Sequence, residues 1–224
     1  MSDEQGLRER KKQRTRALIT DTARRLFAQR GFDQVTLAEV ARAADVSQGT
    51  LFNYFPRKED LFFSGLEAHQ EELLRTVRER RAGESILAAF RRFVIGPRQT
   101  QGLLGSDDPQ ARAQLATMTR ILVQSPTLLA RENQIFEQYT NALAQLIADQ
   151  TGKTPDDVEP WVAANAMLGA HRALISYVRR QVLADTDHQQ IRRNLSTQRN
   201  RALAQLEHGL AQSLDADPAH PVAR

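Results

Sequence analysis

Apolar residues recur along this chain at intervals of three and four and almost never alternate, the pattern of helices rather than strands. Ile19, Ala23, Leu26 and Phe27 share one face of a first helix predicted over about Arg14–Arg30, and Gly31 stops it. Thr36-Leu37-Ala38-Glu39 has capping-box spacing. The threonine oxygen can accept a free amide and the glutamate can reach back to the cap, which predicts a short helix over 36–44. After a turn at Asp45-Val46, Ser47 caps a second short helix, 47–54, which Pro56 ends. One long helix is then predicted from Lys58 to Arg80.

The second half carries longer periodic runs. Ile86, Leu87, Phe90, Phe93 and Val94 mark a helix closed by Gly96-Pro97. Residues 96–108 hold three glycines and no periodicity, so a mobile loop is expected there. Asp108-Pro109, Ser125-Pro126 and Thr154-Pro155-Asp156-Asp157 are helix starts, with proline or acids where the first turn tolerates them. Trp161, Ala164, Leu168, His171, Ile175, Val178 and Val182 form one stripe; Ile191, Leu195, Ala202, Leu206, Leu210 and Leu214 form a last one. The tail, 215–224, is expected to be disordered. The fold class is therefore all-α. A small N-terminal domain over 10–64, holding the two short helices, precedes a larger helical domain over 65–214.

Charge changes the picture because of where it lies. The chain has 31 Lys and Arg against 27 Asp and Glu, a net +4, yet residues 7–30 alone carry nine basic residues against Glu9 and Asp21. Such a cluster can displace counterions from a phosphate backbone, or it can be a solvated helix face. The two short helices with the longer one before them make a helix-turn-helix. In the second of them Gln48, Gly49, Thr50 and Asn53 are small or amide-bearing, the chemistry that reads adenine and thymine edges, while Leu51 and Phe55 point inward.

From Thr36-Leu37-Ala38-Glu39-Val40-Ala41 through Val46-Ser47-Gln48-Gly49-Thr50-Leu51-Phe52-Asn53-Tyr54-Phe55-Pro56-Arg57-Lys58-Glu59-Asp60-Leu61, the sequence resembles the DNA-binding domain of the TetR family of bacterial transcriptional regulators. With the first helix, the resemblance covers about residues 12–64. It implies a ligand-responsive homodimeric repressor that binds a palindromic operator on double-stranded DNA through the major groove. Thr36 would touch a phosphate with its hydroxyl and free amide, and Tyr54 and Lys58 would hold further phosphates. Ser47, Gln48, Gly49, Thr50 and Asn53 would lie at the base edges, and Arg14 and Arg16 would reach the backbone. Tyr54 could equally be a half-buried aromatic, and Lys58 part of a solvated face. Two positions depart from the family pattern: Phe52 stands where Tyr is frequent, and Arg57 stands where Ser is frequent.

The resemblance also implies a small-molecule effector in the C-terminal domain, with the Lys58–Arg80 helix coupling it to the DNA-reading heads. His69 and His171 are candidate polar anchors of that pocket. Met118, Phe136, Tyr139 and Trp161 are candidate walls, and Asn165 a candidate buried amide. Few charges lie on these stripes, which favours an apolar or amphipathic effector. Small residues at Ala163, Ala166, Gly169, Ala170 and Ala173, with Ile191, Leu195, Leu206 and Leu210, would suit a four-helix dimer interface or packing inside one subunit.

Enzyme chemistry finds little support. There is no cysteine, no Gly-rich phosphate loop, no His-Glu-x-x-His and no serine elbow. No cofactor, metal or membrane partner is expected, and a cytoplasmic protein is. A helical interaction adaptor would explain the C-terminal part but would leave residues 36–58 as coincidence.

Overall fold

Four residues with left-handed backbone punctuate the N-terminal and central helices: Gly31 at φ +80°, Asp45 at +54°, Gly65 at +99° and Gly83 at +76°. In the computed structural model, which describes residues 2–104, 108–154 and 156–214, they and the extended Phe55 before Pro56 separate α1 (Ser2–Arg30), α2 (Leu37–Ala43), α3 (Gln48–Tyr54), α4 (Lys58–Phe62), α5 (Leu66–Arg78) and α6 (Ile86–Ile95). The chain continues as α7 (Pro97–Leu104), α8 (Pro109–Gln124), α9 (Pro126–Thr151), α10 (Val158–Leu183) and α11 (His188–Leu214). The described residues are helical with short connections and no strand, as the periodicity requires. The expected disordered tail, 215–224, lies outside them.

The chain divides into two compact units, residues 1–66 with 117–131, and residues 67–116 with 132–224. In the first, α1 buries Ile19, Ala23 and Phe27, and Phe32, Val40, Leu51, Phe55 and Leu61 complete the interior. Phe27 and Phe32 meet with ring centroids 5.1 Å apart, and Phe62 sets its edge on Phe32 at 6.2 Å. Each large side chain so buried contributes about 1.5–3 kcal/mol. In the second unit, α6 buries Leu87, Phe90, Phe93 and Val94. The chain reverses at Asp185, φ +54°, so that α11 runs back along α10 and buries Ile191, Leu195, Leu203 and Leu206. Ile191, Leu195 and Leu206 of the expected dimer seam therefore pack inside one chain.

Three expectations are corrected. The helix predicted over Lys58–Arg80 is two helices. Phe63 caps α4 by donating its amide to the Glu59 carbonyl at 3.0 Å, and Gly65 then takes a backbone conformation that helices exclude and that L side chains rarely adopt. The helical stripe of Phe62, Leu66, His69 and Leu73 hid that break. Residues 96–108 were expected to be a loop, but 97–104 form α7, started by Pro97 at its first position. Leu104 is fully buried and its carbonyl accepts from His188 Nε2 at 3.0 Å. Residues 105–107 lie outside the described ones. Finally, α1 begins at Ser2, twelve residues before the expected Arg14.

Inside the second unit, Glu132 on α9 and Arg179 on α10 form a two-pronged ion pair, with Arg179 Nη1 to Glu132 Oε2 at 2.8 Å and Nη2 to Oε1. The glutamate is only 7% exposed. Removing its partner leaves a charge with nowhere to go, so Arg179→Met should lower unfolding free energy by about 3 kcal/mol, near the lower end of such cases because the arginine is part-exposed. Urea denaturation checks this; an unchanged midpoint would remove the pair from the list of structural supports.

Candidate nucleic-acid interface

The reading helix is set by its two ends. At the start of α3, Ser47 Oγ accepts the Thr50 amide at 3.0 Å and shares a hydrogen bond with the Thr50 hydroxyl at 2.8 Å. At its end, the Phe55 amide donates to the Leu51 carbonyl. Leu51 and Phe55 are buried, as their spacing of four predicts, and Gln48, Gly49 and Asn53 are left exposed with Thr50 and Tyr54 half-buried. A Cβ added at Gly49 would meet only Ser47 Oγ, at 3.9 Å. Nothing inside the chain demands glycine there. Phe52 is 49% exposed, an apolar ring on a surface where the family pattern has a hydroxyl.

The start of α2 is a closed knot. Glu39 Oε2 accepts from the Thr36 amide at 2.8 Å and from its hydroxyl at 2.9 Å, while the Glu39 amide donates to Thr36 Oγ1 at 3.2 Å. Arg30 Nη1 then reaches Glu39 Oε1 at 2.8 Å. The Thr36 amide is therefore not free for a phosphate, which corrects that expectation: the capping box uses the same donor. The Thr36 amide, then Arg30 and the Thr36 hydroxyl, hold the Glu39 carboxyl down to about 2. Arg30 was not singled out in the sequence because it sits on another helix, nine residues away.

Lys58 lies over the Phe32 ring at 4.2 Å and donates to the Phe32 carbonyl at 3.0 Å. An ammonium carries three donors, so two remain. The Arg16 guanidinium lies over the Phe55 ring at 4.7 Å, at the C-terminal end of α3. Arg14 is exposed. Arg57 supplies no side-chain cap to α4; instead Asp60 Oδ2 takes the Arg57 amide at 3.2 Å, and Asp60 Oδ1 pairs with Arg131 at 2.8 Å.

Residues 19–64 match the family profile described as bacterial regulatory proteins, tetR family, and residues 84–211 match the MftR C-terminal domain. The chain belongs to the TetR family. The HTH-type transcriptional regulator TcmR of Streptomyces glaucescens is 33% identical over 155 residues, covering 68% of this chain and 67% of TcmR. Salmonella enterica GusR superposes with a TM-score of 0.51 at 22% identity, covering 88% of this chain and 95% of its own. A SmeT–triclosan complex does so with 0.54 at 16% identity, covering 94% and 99%. These two likenesses are of fold. This TetR-family chain is thus a transcriptional regulator with a DNA-binding helix-turn-helix. Among the described residues, no helix is long and apolar enough to cross a membrane, and no three His, Cys, Asp or Glu are placed to hold a metal.

The candidate effector residues are spread unevenly. His69 Nε2 faces His171 Nε2 at 3.5 Å, and Phe93 packs on both rings with centroids 5.1 and 6.1 Å away. Burial, then the neighbouring His69, pushes His171 down to about 3, and burial lowers His69 against the pull of Glu72. His171 is therefore neutral near pH 7, and its Nδ1 is buried without a hydrogen-bond partner. Phe136 and Tyr139 are buried with centroids 6.0 Å apart, and Trp161 is half-buried. Met118 falls in the other compact unit. Asn165 is exposed and donates to the Trp161 carbonyl at 2.8 Å, so the expected buried amide is a surface one. It sits outside the apolar stripe, one position past buried Ala164. Phe93 was read only as part of its own helix; nothing in one helix's periodicity shows which rings another helix brings to it.

The cap knot sets a pH behaviour. A carboxyl lowered from 4.5 to about 2 favours the fold above its unfolded value, and that contribution is lost as pH falls through the folded one. Glu39 should titrate near pH 2 when followed by carboxyl NMR, and Arg30→Met should move its midpoint upward toward 4.5. A parent midpoint already at 4.5 would mean the knot is open in solution.

Proposed function

We propose that the chain is a homodimeric repressor that binds a palindromic operator and releases it when a small apolar or amphipathic molecule binds. The carrying observation is α3 itself: Leu51 and the capping Phe55 are buried, and Gln48, Gly49 and Asn53 are exposed. An amide side chain can bridge N6 and N7 of adenine, and the bare Gly49 backbone leaves room for the groove floor. Ser47 and Thr50 stand beside them at the start of α3. Tyr54, Lys58 through its two spare donors, Arg14 and Arg16 would hold phosphates and so set the register, and Thr36 would join them by turning its hydroxyl from Glu39 Oε2.

Two copies of α3 must lie about 34 Å apart to enter successive major grooves, so the reading needs a dimer. On α10 a stripe at spacings of three and four stays open: Val158 is 68% exposed and Val162 52%, with Asn165, Gly169 and Ala173 exposed beyond them. A Cβ at Gly169 would meet nothing within 4 Å. This is a surface of small and apolar residues around one amide, suited to close approach of the same helix from a second copy. For the effector, the neutral His171 with its unpartnered Nδ1 beside Phe93 is the favoured polar anchor. His69, Phe136, Tyr139 and Trp161 are its companions in the same unit.

Selection from random duplex DNA tests the reading. The parent should return a palindrome and show a steep fall of log affinity with log salt. Asn53→Ala should relax one position of each half-site, by about 1–3 kcal/mol of discrimination, with non-specific binding little changed. An identical motif from both proteins would take Asn53 out of base reading. Val162→Glu should shift sedimentation from dimer toward monomer and weaken operator binding with it; an unshifted dimer would place the interface elsewhere.

A further inference from the structure

The first half of α1 belongs to no core. From Leu7 to Arg14 every residue is exposed, and the family profile begins only at residue 19. A helix polar all round has no core of its own to face, and here i,i+4 bonds such as Gln13 to Glu9 support it. The arrangement of its charges points to a partner outside the fold. The face that α1 buries in the N-terminal unit runs through Phe27, Ala23 and Ile19. Counting back along the same face by three and four gives Arg16, Lys12 and Arg8, with Lys11 beside them. So the core stripe turns cationic where the core ends. Arg16 marks the change, lying over Phe55 at the C-terminal end of the reading helix. Residues 6–15 therefore carry this stripe onward past that end by roughly 15 Å, at 1.5 Å per residue. Arg8, Lys11 and Lys12 form no ion pair within salt-bridge distance among the described side chains, while Glu9 is tied to Gln13 at 2.8 Å.

We propose that this extension is a second DNA-binding element: Arg8, Lys11 and Lys12 neutralise phosphates of the duplex flanking the operator half-site that α3 reads. The inference rests on the DNA-binding reading above and adds to it a contact beyond the site itself. The occupant is the DNA backbone because the stripe is cationic, continues the side of α1 on which α2 and α4 pack and Arg16 meets Phe55, and lacks the aromatic or amide groups that read bases. It gives affinity and salt dependence, and no sequence preference.

The test compares Arg8→Gln/Lys12→Gln with the charge-matched Arg10→Gln/Arg25→Gln, whose side chains lie off the stripe. Binding is measured against salt on two duplexes carrying the selected palindrome, one ending at its edges and one extended by ten base pairs on each side. On the longer duplex the stripe variant should lose about 1.8 from the salt slope for each bound chain, at about 0.9 per phosphate. It should keep the parent's motif, and it should approach the parent on the shorter duplex. The matched variant should lose less than half as much. Equal losses in the two variants, or equal losses on the two duplexes, would overturn the flanking contact and leave the operator reading intact. A shift of the stripe variant alone from dimer to monomer would also overturn it. A parent without salt-dependent DNA binding would overturn both readings.

Discussion

A helix of seven residues has no stability of its own in water, so α3 exists only because Leu51 and Phe55 are drawn beneath it. That burial decides more than stability. With two residues four apart fixed inward, helical geometry turns Gly49 and Asn53 to the opposite side, while Gln48 is exposed as the first residue of the helix. Recognition chemistry on this surface is thus a by-product of where the core ends. The aromatic cluster of Phe27, Phe32 and Phe62 serves the same end, holding α1 and α4 against the turn so that the exposed side chains have a rigid base.

Several polar groups in this domain are satisfied twice over by neighbours that the linear pattern keeps apart. Glu39 closes the α2 cap and anchors Arg30; Asp60 closes the α4 cap and holds Arg131. In both, one carboxylate oxygen serves the helix start and the other serves a guanidinium from a different helix. A short helix gains little from propensity, so its ends carry much of its definition.

The helix-turn-helix was legible in the sequence because its signals are local: a cap, a turn and an inward pair, all within twenty residues. The all-helical class was legible for the same reason. What escaped the reading was set by distance or by conflict between signals. The stripe through Phe62, Leu66 and His69 continues at helical spacing across Gly65, so periodicity argued for one helix where backbone geometry makes two. Residues 97–104 lack a stripe, and their helix is held by a proline start, a buried Leu104 and a histidine eighty-four residues on. The Thr36 amide was counted as free because a capping glutamate and a phosphate compete for the same donor. Glu132 and Arg179 showed no signal at all, being ordinary charges in their own helices.

Arg131 and Glu132 are consecutive residues of α9, and each is committed to a partner of opposite sign on another helix. One reaches back to the cap of α4, the other grips α10. Successive residues of a helix point about 100° apart, so one side chain of α9 can serve the cap of α4 while the next serves α10.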